Sequence, residues 1–312
     1  MATPPRRALL YGGLLLHTVL SAATYLWAKS ALREIPPLPL GLLRFCGASA
    51  CLAALLFRLR PSGKRMPPRA VWGKLFWLSL LAVPVNQGFF LTGLALSTAA
   101  HAALLYTLTP VFVLLLAQAL VREFPGGRTV AGALIALAGT VYVLVWRGLD
   151  LSRGPLVGDL LLLVAVIAWA VYTAEGRALV TQHGPVPMIA WTLIGGTLLY
   201  LPIGLASLSM PGAVQRIAQA SVGAWVGVAY LIAVTSVVAY LLWYWALGHL
   251  PAARVAVFSN LQPLATAVLA HFFLGEHLTP QFVGGALVVI GGVVLAQLRR
   301  ARTSAEVPPE PA

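Results

Sequence analysis

The stretch LTPVFVLLLAQALVRE, residues 108–123, places a proline early in a long apolar run that ends in an acid. Residues 261–276, LQPLATAVLAHFFLGE, repeat this pattern with the same spacing from proline to glutamate. A proline inside a helix removes one backbone hydrogen bond and clashes with the preceding turn. In lipid, such a defect persists only where protein or a wet cavity satisfies the freed carbonyl. Pro110 and Pro263 therefore predict two interrupted helices beside one cavity, with a tolerated kink in each as the alternative.

The composition indicates a membrane protein. The 312 residues are 60% hydrophobic and 9% charged, whereas a soluble domain carries about 25% charged residues. Apolar windows of about 20 residues, long enough to cross a bilayer as helices, recur along the chain. We predict an all-α polytopic membrane protein with ten transmembrane helices at 8–29, 38–57, 71–95, 98–121, 129–146, 156–174, 187–209, 222–244, 251–273 and 280–298. Residues 299–312 are polar and proline-rich, and are predicted to be a disordered cytoplasmic tail.

The net charge is +13, and the distribution of the basic residues along the chain fits a membrane topology. If the N-terminus is cytoplasmic, fifteen lysines and arginines fall on the cytoplasmic side, five fall on the opposite side, and Arg44 lies within a span. This asymmetry obeys the positive-inside rule, so both termini are predicted to be cytoplasmic, in a cell inner membrane. The expected partners are the lipid bilayer and a small-molecule substrate rather than nucleic acid, and the sequence leaves a homodimer open.

The chain contains an internal repeat that extends beyond the two prolines. A shift that aligns the prolines also aligns Leu116 with Leu269, Glu123 with Glu276, Gly132 with Gly285 and Gly139 with Gly292. A Pro-x-Pro motif precedes a span in both 36–44 and 184–192. We therefore divide the chain into a first repeat, 8–146, and a second repeat, 155–298, of five spans each. Because five is odd, the second repeat is predicted to cross inverted, as in transporters whose inverted repeats enclose a midplane site.

The repeated glycines have a simpler interpretation. Gly132 and Gly139 are seven residues apart, as are Gly285 and Gly292, so each pair lies on one helix face. Small residues on one face let membrane helices approach closely. Helix packing is therefore their predicted role.

Polar side chains at bilayer depth are costly and mark candidate pathways. One cluster follows Pro84 and another flanks Pro263. The candidate residues of a substrate cavity are Asn86, Gln87, His101, Tyr106, Pro110, Tyr172, Tyr240, Asn260, Gln262 and Pro263. The aromatic run YLLWYWAL, 240–247, is predicted to form an interfacial belt, with Tyr240 deep enough to reach the cavity instead.

Three charged residues in the spans, Lys29, Arg44 and Glu175, are candidates for ion coupling or ion pairing. Lys29 lies near a helix end and could snorkel to the interface. Arg44 lies about two turns inside its span and must find a partner or a wet face. Glu175 is the acid best placed for proton coupling, with simple solvation as the alternative. Cys46 and Cys51 are predicted to be buried thiols, too far apart around one helix to form a disulfide.

Three segments resemble the drug/metabolite transporter superfamily, in particular its ten-helix EamA-type members. They are ALSTAAHAALLYTLTPVFVLLLA (95–117), GDLLLLVAVIAWAVYTAEGRAL (158–179) and ALGHLPAARVAVFSNLQPLATAVLAHFFLGEHLT (246–279). The resemblance extends over nearly the whole chain and implies two EamA repeats, a central cavity and transport of small metabolites, often outward. The chain departs from the family at Ala22, where a tryptophan is common, whereas the sixth span keeps Trp169.

The expected function is secondary transport of a small organic solute, such as an amino acid or related metabolite, with export as the expected direction. A multidrug or lipophilic-cation exporter is the main alternative, and a non-transporting membrane scaffold is a weaker one. The sequence contains no HExxH, no GxSxG and no Walker motif, so neither an enzyme nor a bound cofactor or metal is expected.

Overall fold

The computed structural model describes residues 7–59, 66–97, 99–121, 125–146, 156–274 and 280–298. Every regular element in these ranges is helical, which confirms the all-α prediction. Within these described ranges, seven helical runs are long and apolar enough to cross a membrane: Arg7–Glu34, Pro37–Leu59, Arg69–Leu96, Leu156–His183, Pro185–Leu208, Val222–Leu247 and Pro280–Gln297. The side chain of His101, both repeated glutamates and the predicted tail 299–312 lie outside what the structure describes.

The helices follow one another with short connections. In chain order they are α1 (Arg7–Glu34), α2 (Pro37–Leu59), α3 (Trp72–Leu80), α4 (Gly88–Leu96), α5 (Ala99–Tyr106), α6 (Thr109–Val121), α7 (Gly127–Trp146), α8 (Leu156–His183), α9 (Pro185–Leu208), α10 (Ala213–Ala218), α11 (Val222–Ala229), α12 (Tyr240–Leu247), α13 (Ala252–Ala256), α14 (Gln262–Leu274) and α15 (Pro280–Gln297). A first π segment, Leu81–Gln87, joins α3 to α4, and a second π segment, Tyr230–Ala239, joins α11 to α12.

The repeated prolines coincide with interruptions of the helical backbone. A turn at Thr107 and Leu108 separates α5 from α6, and its two N–H groups bond at 3.0 Å to carbonyls three residues earlier rather than four. In the second repeat, α13 passes into a 3₁₀ turn, Val257–Leu261, before α14 begins. Pro110 and Pro263 both lie in the first turn of the helix that follows, where a missing N–H costs no helical hydrogen bond.

The two π segments occupy matching places, because each lies in the third apolar run of its repeat. A π-helical turn bonds each N–H to a carbonyl five residues back, and such turns are rare and often lie at functional sites. Pro84 lies inside the first π segment, whereas the second contains no proline. Our sequence analysis predicted neither segment.

Helices of one repeat pack on helices of the other in matched pairs. On one side, α1 contacts the second π segment, where the hydroxyls of Thr24 and Thr235 are 2.9 Å apart. On the other side, α8 contacts the first π segment, where Asn86 Nδ2 donates to the carbonyl of Ala165 at 2.7 Å. The first span of each repeat therefore packs against the third span of the other, while α2 packs on α9 and α7 on α15.

The contact between α7 and α15 is made by their backbones. A Cβ added at Gly132 would lie 2.5 Å from the carbonyl oxygen of Gly292 and 2.6 Å from the amide nitrogen of Ala296. About two turns farther along α7, a Cβ added at Gly139 would lie 3.0 Å from the amide nitrogen of Val289. Gly132 thus contacts residues 292 and 296 of α15, whereas Gly139, later in α7, contacts the earlier residue 289. The two helices are therefore antiparallel.

The helix bundle has two distinguishable faces. The start of α1 and the end of α15 lie together on one of them, which we call the terminal face, where Arg7 and Gln297 line one groove. The end of α1 meets the start of α11 on the opposite, distal face, where Glu34 accepts hydrogen bonds from the backbone N–H and the hydroxyl of Ser221.

The cysteine prediction is half wrong. Cys46 and Cys51 are unpaired, but both are exposed rather than buried. They lie on the side of α2 that faces away from Phe45, Ala48 and Leu52, whose side chains fill the core. In a bilayer this side contacts lipid, which accepts a thiol as readily as an apolar core does.

Gly292→Ala is expected to destabilise the protein, because its Cβ would lie 2.5 Å from the amide nitrogen of Ala136 and overpacking costs about 1–3 kcal/mol. The melting temperature of the purified protein in detergent, followed by tryptophan fluorescence, should fall by several degrees. Gly291→Ala is the matched control: it adds the same methyl group one residue earlier, where nothing lies within 4 Å. Equal losses for the two variants would contradict the α7–α15 contact.

Candidate functional site

A small polar cavity lies where the two repeats meet. Its volume is about 70 Å³. The first repeat contributes Arg44, Gln87, Phe90 and Tyr106 in addition to residues of α1, and the second contributes Trp169, Thr235, Tyr240, Ser259 and Gln262. Five of the residues that the sequence analysis named for the cavity or for ion pairing therefore lie together here: Arg44, Gln87, Tyr106, Tyr240 and Gln262.

One face of α1 forms a wall of the cavity. His17, Ser21, Thr24 and Tyr25 line it, and their spacing of four, three and one residues places them on one side of a helix. His17 Nδ1 lies 2.8 Å from the carbonyl of Ala239, and its Nε2 lies 3.2 Å from the hydroxyl of Ser21. Ser21, Thr24 and Tyr25 are not among the residues predicted for the site from the sequence, although their helical spacing was a usable signal.

Arg44 is the charged group of the cavity and is 1% exposed. Its Nε donates to the hydroxyl of Ser236 at 2.9 Å, and its Nη1 donates to Gln87 Oε1 at 2.8 Å. The guanidinium carbon lies 4.9 Å from the centre of the Phe45 ring. Because Ser236 belongs to the second π segment and Gln87 to the first, Arg44 joins both irregular segments to α2.

A directed series of hydrogen bonds continues from Gln87. Its Nε2 donates to Asn86 Oδ1, and Asn86 Nδ2 donates to the carbonyl of Ala165 and, at 3.2 Å, to the hydroxyl of Tyr106. A guanidinium can only donate, so Gln87 must present its oxygen to Arg44 and its nitrogen to Asn86. The series therefore fixes the orientation of both amides and connects the cavity to α8.

Aromatic rings line the cavity on the side of the distal face. Tyr25, Phe90 and Tyr106 contact one another edge to face, with ring centres 5.6 to 6.1 Å apart. Such T-shaped contacts add about 0.5–1.5 kcal/mol to the burial of the rings. Tyr25 and Phe90 lie nearer the distal ends of their helical runs, so this group lies on the distal side of the cavity.

A second aromatic group lies toward the terminal face. Trp169 contacts Tyr240 and Trp243 at 5.3 and 5.8 Å between ring centres, and Tyr172 contacts Tyr244 at 5.2 Å. The predicted interfacial belt is wrong for Trp243 and Tyr244, because α12 turns both into the core, where they are fully buried, whereas Tyr240 lines the cavity, the other position predicted for it.

Five of the predicted cavity residues do not line the cavity, and one of them is Asn86, whose buried side chain bonds to Tyr106 and to α8. Asn260 is fully buried, and within the described residues its side-chain amide has no hydrogen-bond partner. Pro110 and Pro263 are buried next to helix breaks rather than at the cavity surface. Tyr172 is buried behind Trp169, and its hydroxyl lies 2.6 Å from that of Thr192.

Lys29 and Glu175 lie away from the cavity. Lys29 Nζ donates to the carbonyls of Leu94 and Ser97, both at 2.7 Å, and so caps the C-terminal end of α4 at the distal face. Glu175 forms an ion pair with Lys74 toward the terminal face. Of the three charged candidates, Arg44 alone lines the cavity.

A larger groove of about 1290 Å³ opens on the terminal face between α1, α14 and α15. Its walls are mainly apolar, and it contains none of the polar residues named by the sequence analysis. Binding sites for small solutes need a few convergent polar groups to orient the ligand. The small polar cavity is therefore the candidate site.

Known proteins resemble this chain along most of its length. The model of the EamA-like transporter family matches residues 8–145 and again 156–298. An uncharacterized transporter of Archaeoglobus fulgidus is 31% identical, over 92% of this chain and 96% of that protein. A probable terminal-alkyne amino-acid exporter of Streptantibioticus cattleyicolor is 27% identical, over 83% of this chain and 84% of that protein. A crystal structure with 22% sequence identity has the same fold, with a TM-score of 0.74 over 94% of this chain and 98% of the other.

Thr24→Val is expected to cost about 1 kcal/mol, because it leaves the Thr235 hydroxyl at the cavity wall without its partner from α1. Thr235→Val should cost a similar amount. The double variant should lose less than the sum of the two, since removing both polar partners leaves neither unsatisfied. Strictly additive losses, measured by thermal unfolding, would show that the two hydroxyls do not interact across the repeats.

Proposed function

Because the chain belongs to the EamA-like transporter family, we propose that it is a secondary transporter that exports a small organic solute, an amino acid or related metabolite. The observation that carries the proposal is the polar cavity at the junction of the two repeats. A site at such a junction can be reached from either side in turn when the repeats rock against each other, which is the basis of alternating access.

The proposed architecture is ten spans in two inverted repeats, 8–146 and 155–298. The antiparallel packing of α7 and α15 supports it, because the sequence repeat aligns these two helices with each other. Two copies of one module can place the same helix in opposite directions only if one copy is inverted. The first span of each repeat packs against the third span of the other, and this reciprocal packing is also what a two-fold relation between the repeats predicts.

The proposed location is a cell inner membrane, with both termini cytoplasmic. Two basic residues, Arg7 and Arg254, line the groove on the terminal face. This placement agrees with the excess of lysine and arginine expected on the cytoplasmic side.

The cavity walls suit an amino acid better than a lipophilic cation. Arg44 and Gln87 offer a polar end, and the Trp169 and Tyr240 rings offer an apolar wall. A cation exporter would need an acid at the cavity, but the carboxylates in the described ranges, Glu34, Asp159 and Glu175, bond to groups outside it. The relative named as a probable amino-acid exporter favours the same substrate class.

The cavity is small in this conformation. A cavity needs a volume of about 10–15 Å³ for each water that it holds. The cavity volume of about 70 Å³ therefore has room for a few waters but not for an amino acid. Transport therefore requires the cavity to widen, and the aromatic groups on its two sides are the proposed gates.

Pro110→Ala combined with Pro263→Ala is expected to slow counterflow of labelled amino acids and metabolites in proteoliposomes by at least about tenfold. Alanine restores the missing N–H groups and so favours continuous helices where the cavity needs breaks. Pro202→Ala, which changes an exposed proline inside α9, is the control and should transport normally. A double variant that transports at the wild-type rate would overturn the role given to the breaks.

The inverted topology predicts opposite accessibility for the two repeated glutamates. In a background in which Cys46 and Cys51 are replaced by alanine, Glu276→Cys should react with a membrane-impermeant maleimide added outside intact cells. Glu123→Cys should react only after the membrane is permeabilised. Labelling of both positions from the same side would rule out an inverted second repeat.

A further inference from the structure

We infer that the transported solute carries a carboxylate and that Arg44 binds this group inside the central cavity. The inference rests on the proposed transport function and names the substrate class of the same site. It follows from three features of the cavity: an uncompensated charge, unused hydrogen-bond donors and an unpartnered hydroxyl.

The charge of Arg44 has no counter-ion in the described residues. Arginine stays protonated in proteins, and Arg44 is buried at the junction of the repeats. The buried or half-buried ion pair between Lys74 and Glu175 does not involve Arg44. A buried charge without a partner of opposite sign costs several kcal/mol. A bound anion would remove this cost, so the cavity selects for a negatively charged ligand.

The guanidinium of Arg44 also has N–H groups that donate no hydrogen bond within the described residues. Arginine has five N–H groups, and the bonds to Ser236 and Gln87 use one on Nε and one on Nη1. The Nη2 atom has no hydrogen-bond partner in the described residues, and Nη1 has a second hydrogen. These two nitrogens form the end-on edge of the guanidinium, which matches the two oxygens of a carboxylate.

A second donor lies at the same cavity. The hydroxyl of Tyr240 is buried and has no hydrogen-bond partner in the described part of the chain, while Tyr240 and Arg44 both line the cavity. Buried hydroxyls are normally bonded, so this one is free to donate to a carboxylate oxygen when the site is filled.

The number of charges favours a carboxylate over a phosphate. Arg44 supplies one positive charge, and the other lining groups are hydroxyls, amides, aromatic rings and the histidine His17. A phosphate monoester carries about −1.5 to −2 charges at neutral pH, more than one guanidinium compensates. A monocarboxylate matches it, and a lipophilic cation would be repelled.

The structural alternative is that Arg44 only ties α2 to the two π segments. That role would make Arg44 variants less stable without giving the protein any preference for acids. The decisive measurement is therefore made first on the unaltered protein.

The test compares each acid with its uncharged or cationic counterpart. Purified wild-type protein is heated with L-amino acids and short monocarboxylates, each paired with its amide and with the amine that lacks the carboxyl group. We expect at least one acid to raise the melting temperature while its amide and amine do not. The inference is overturned if no acid stabilises the protein, if amides or amines stabilise it equally, or if phenyl phosphate stabilises it more than the acids do.

Variants then assign the effect to Arg44. Arg44→Gln should weaken binding of the stabilising acid by at least about tenfold, and Arg44→Lys should retain part of the affinity because it keeps the charge. Arg177→Gln is the matched control: it removes a cation that bonds to the carbonyl of Leu250, outside the cavity, and should leave acid binding unchanged. Unchanged affinity in a folded Arg44→Gln protein would overturn the assignment.

Counterflow of the same solutes separates this inference from the proposed function. If the acids bind but no solute exchanges across the membrane, the transport proposal fails and the anion site stands. If amides or amines exchange as fast as the acids, transport stands and the carboxylate requirement fails.

Discussion

In the core of a bilayer there is no water to satisfy a backbone carbonyl or N–H group that a helix leaves unpaired. Irregular backbone is therefore confined to places where protein or a wet cavity can satisfy it. The part of the chain that the structure describes has four such places: two π segments, the turn between α5 and α6, and the 3₁₀ turn before α14. Gln87, Tyr106, Thr235 and Ser259 belong to these segments or directly adjoin them, and all four line the same cavity. The cavity is the place where the backbone defects of both repeats are gathered.

Much of this arrangement could be predicted from the sequence, because the defects caused by proline are visible in it. The Pro110–Pro263 repeat located two of the four irregular segments, and the rarity of polar groups in the spans pointed to Arg44 and Gln87. The second π segment could not be found in this way, since it contains no proline and its threonine and serine are common in membrane helices. For Asn260 the sequence predicts a cavity position that the structure does not show. A polar residue next to a helix break does not always face the cavity.

In the aromatic run 240–247, the interfacial position predicted for Trp243 and Tyr244 is wrong for a related reason. Tryptophan and tyrosine near the end of a span are favoured at the membrane interface, and sequence alone does not show which neighbouring helices cover them. Here α8 and α9 pack over α12, so that Trp243 and Tyr244 are completely buried. On α1, by contrast, the helical spacing of Ser21, Thr24 and Tyr25 is a weak signal in the sequence, because serine, threonine and tyrosine are common in membrane helices.

The two repeats contribute unequally to the site, although they share one fold. The alignment of the Pro-x-Pro segments places Thr192 of the second repeat at the position of Arg44. Thr192 contacts the hydroxyl of Tyr172, so the second repeat has a neutral contact where the first has a charge. The aromatic residues also differ, since the second repeat has Trp169 at the cavity where the first has Ala22, and the first contributes Tyr25, Phe90 and Tyr106. The duplicated module has thus diverged, so that the first repeat supplies the charge of the cavity and the second supplies its tryptophan.

The lipid-facing thiol of Cys46 has a practical consequence. It lies two residues from Arg44 on α2, and two residues correspond to about 200° around a helix, so the sulfur and the guanidinium point in nearly opposite directions. A spin label or fluorophore attached at this position would report the motion of α2 from the lipid side without entering the cavity. After replacement of Cys51, the protein carries a native attachment point for spectroscopy of its conformational cycle.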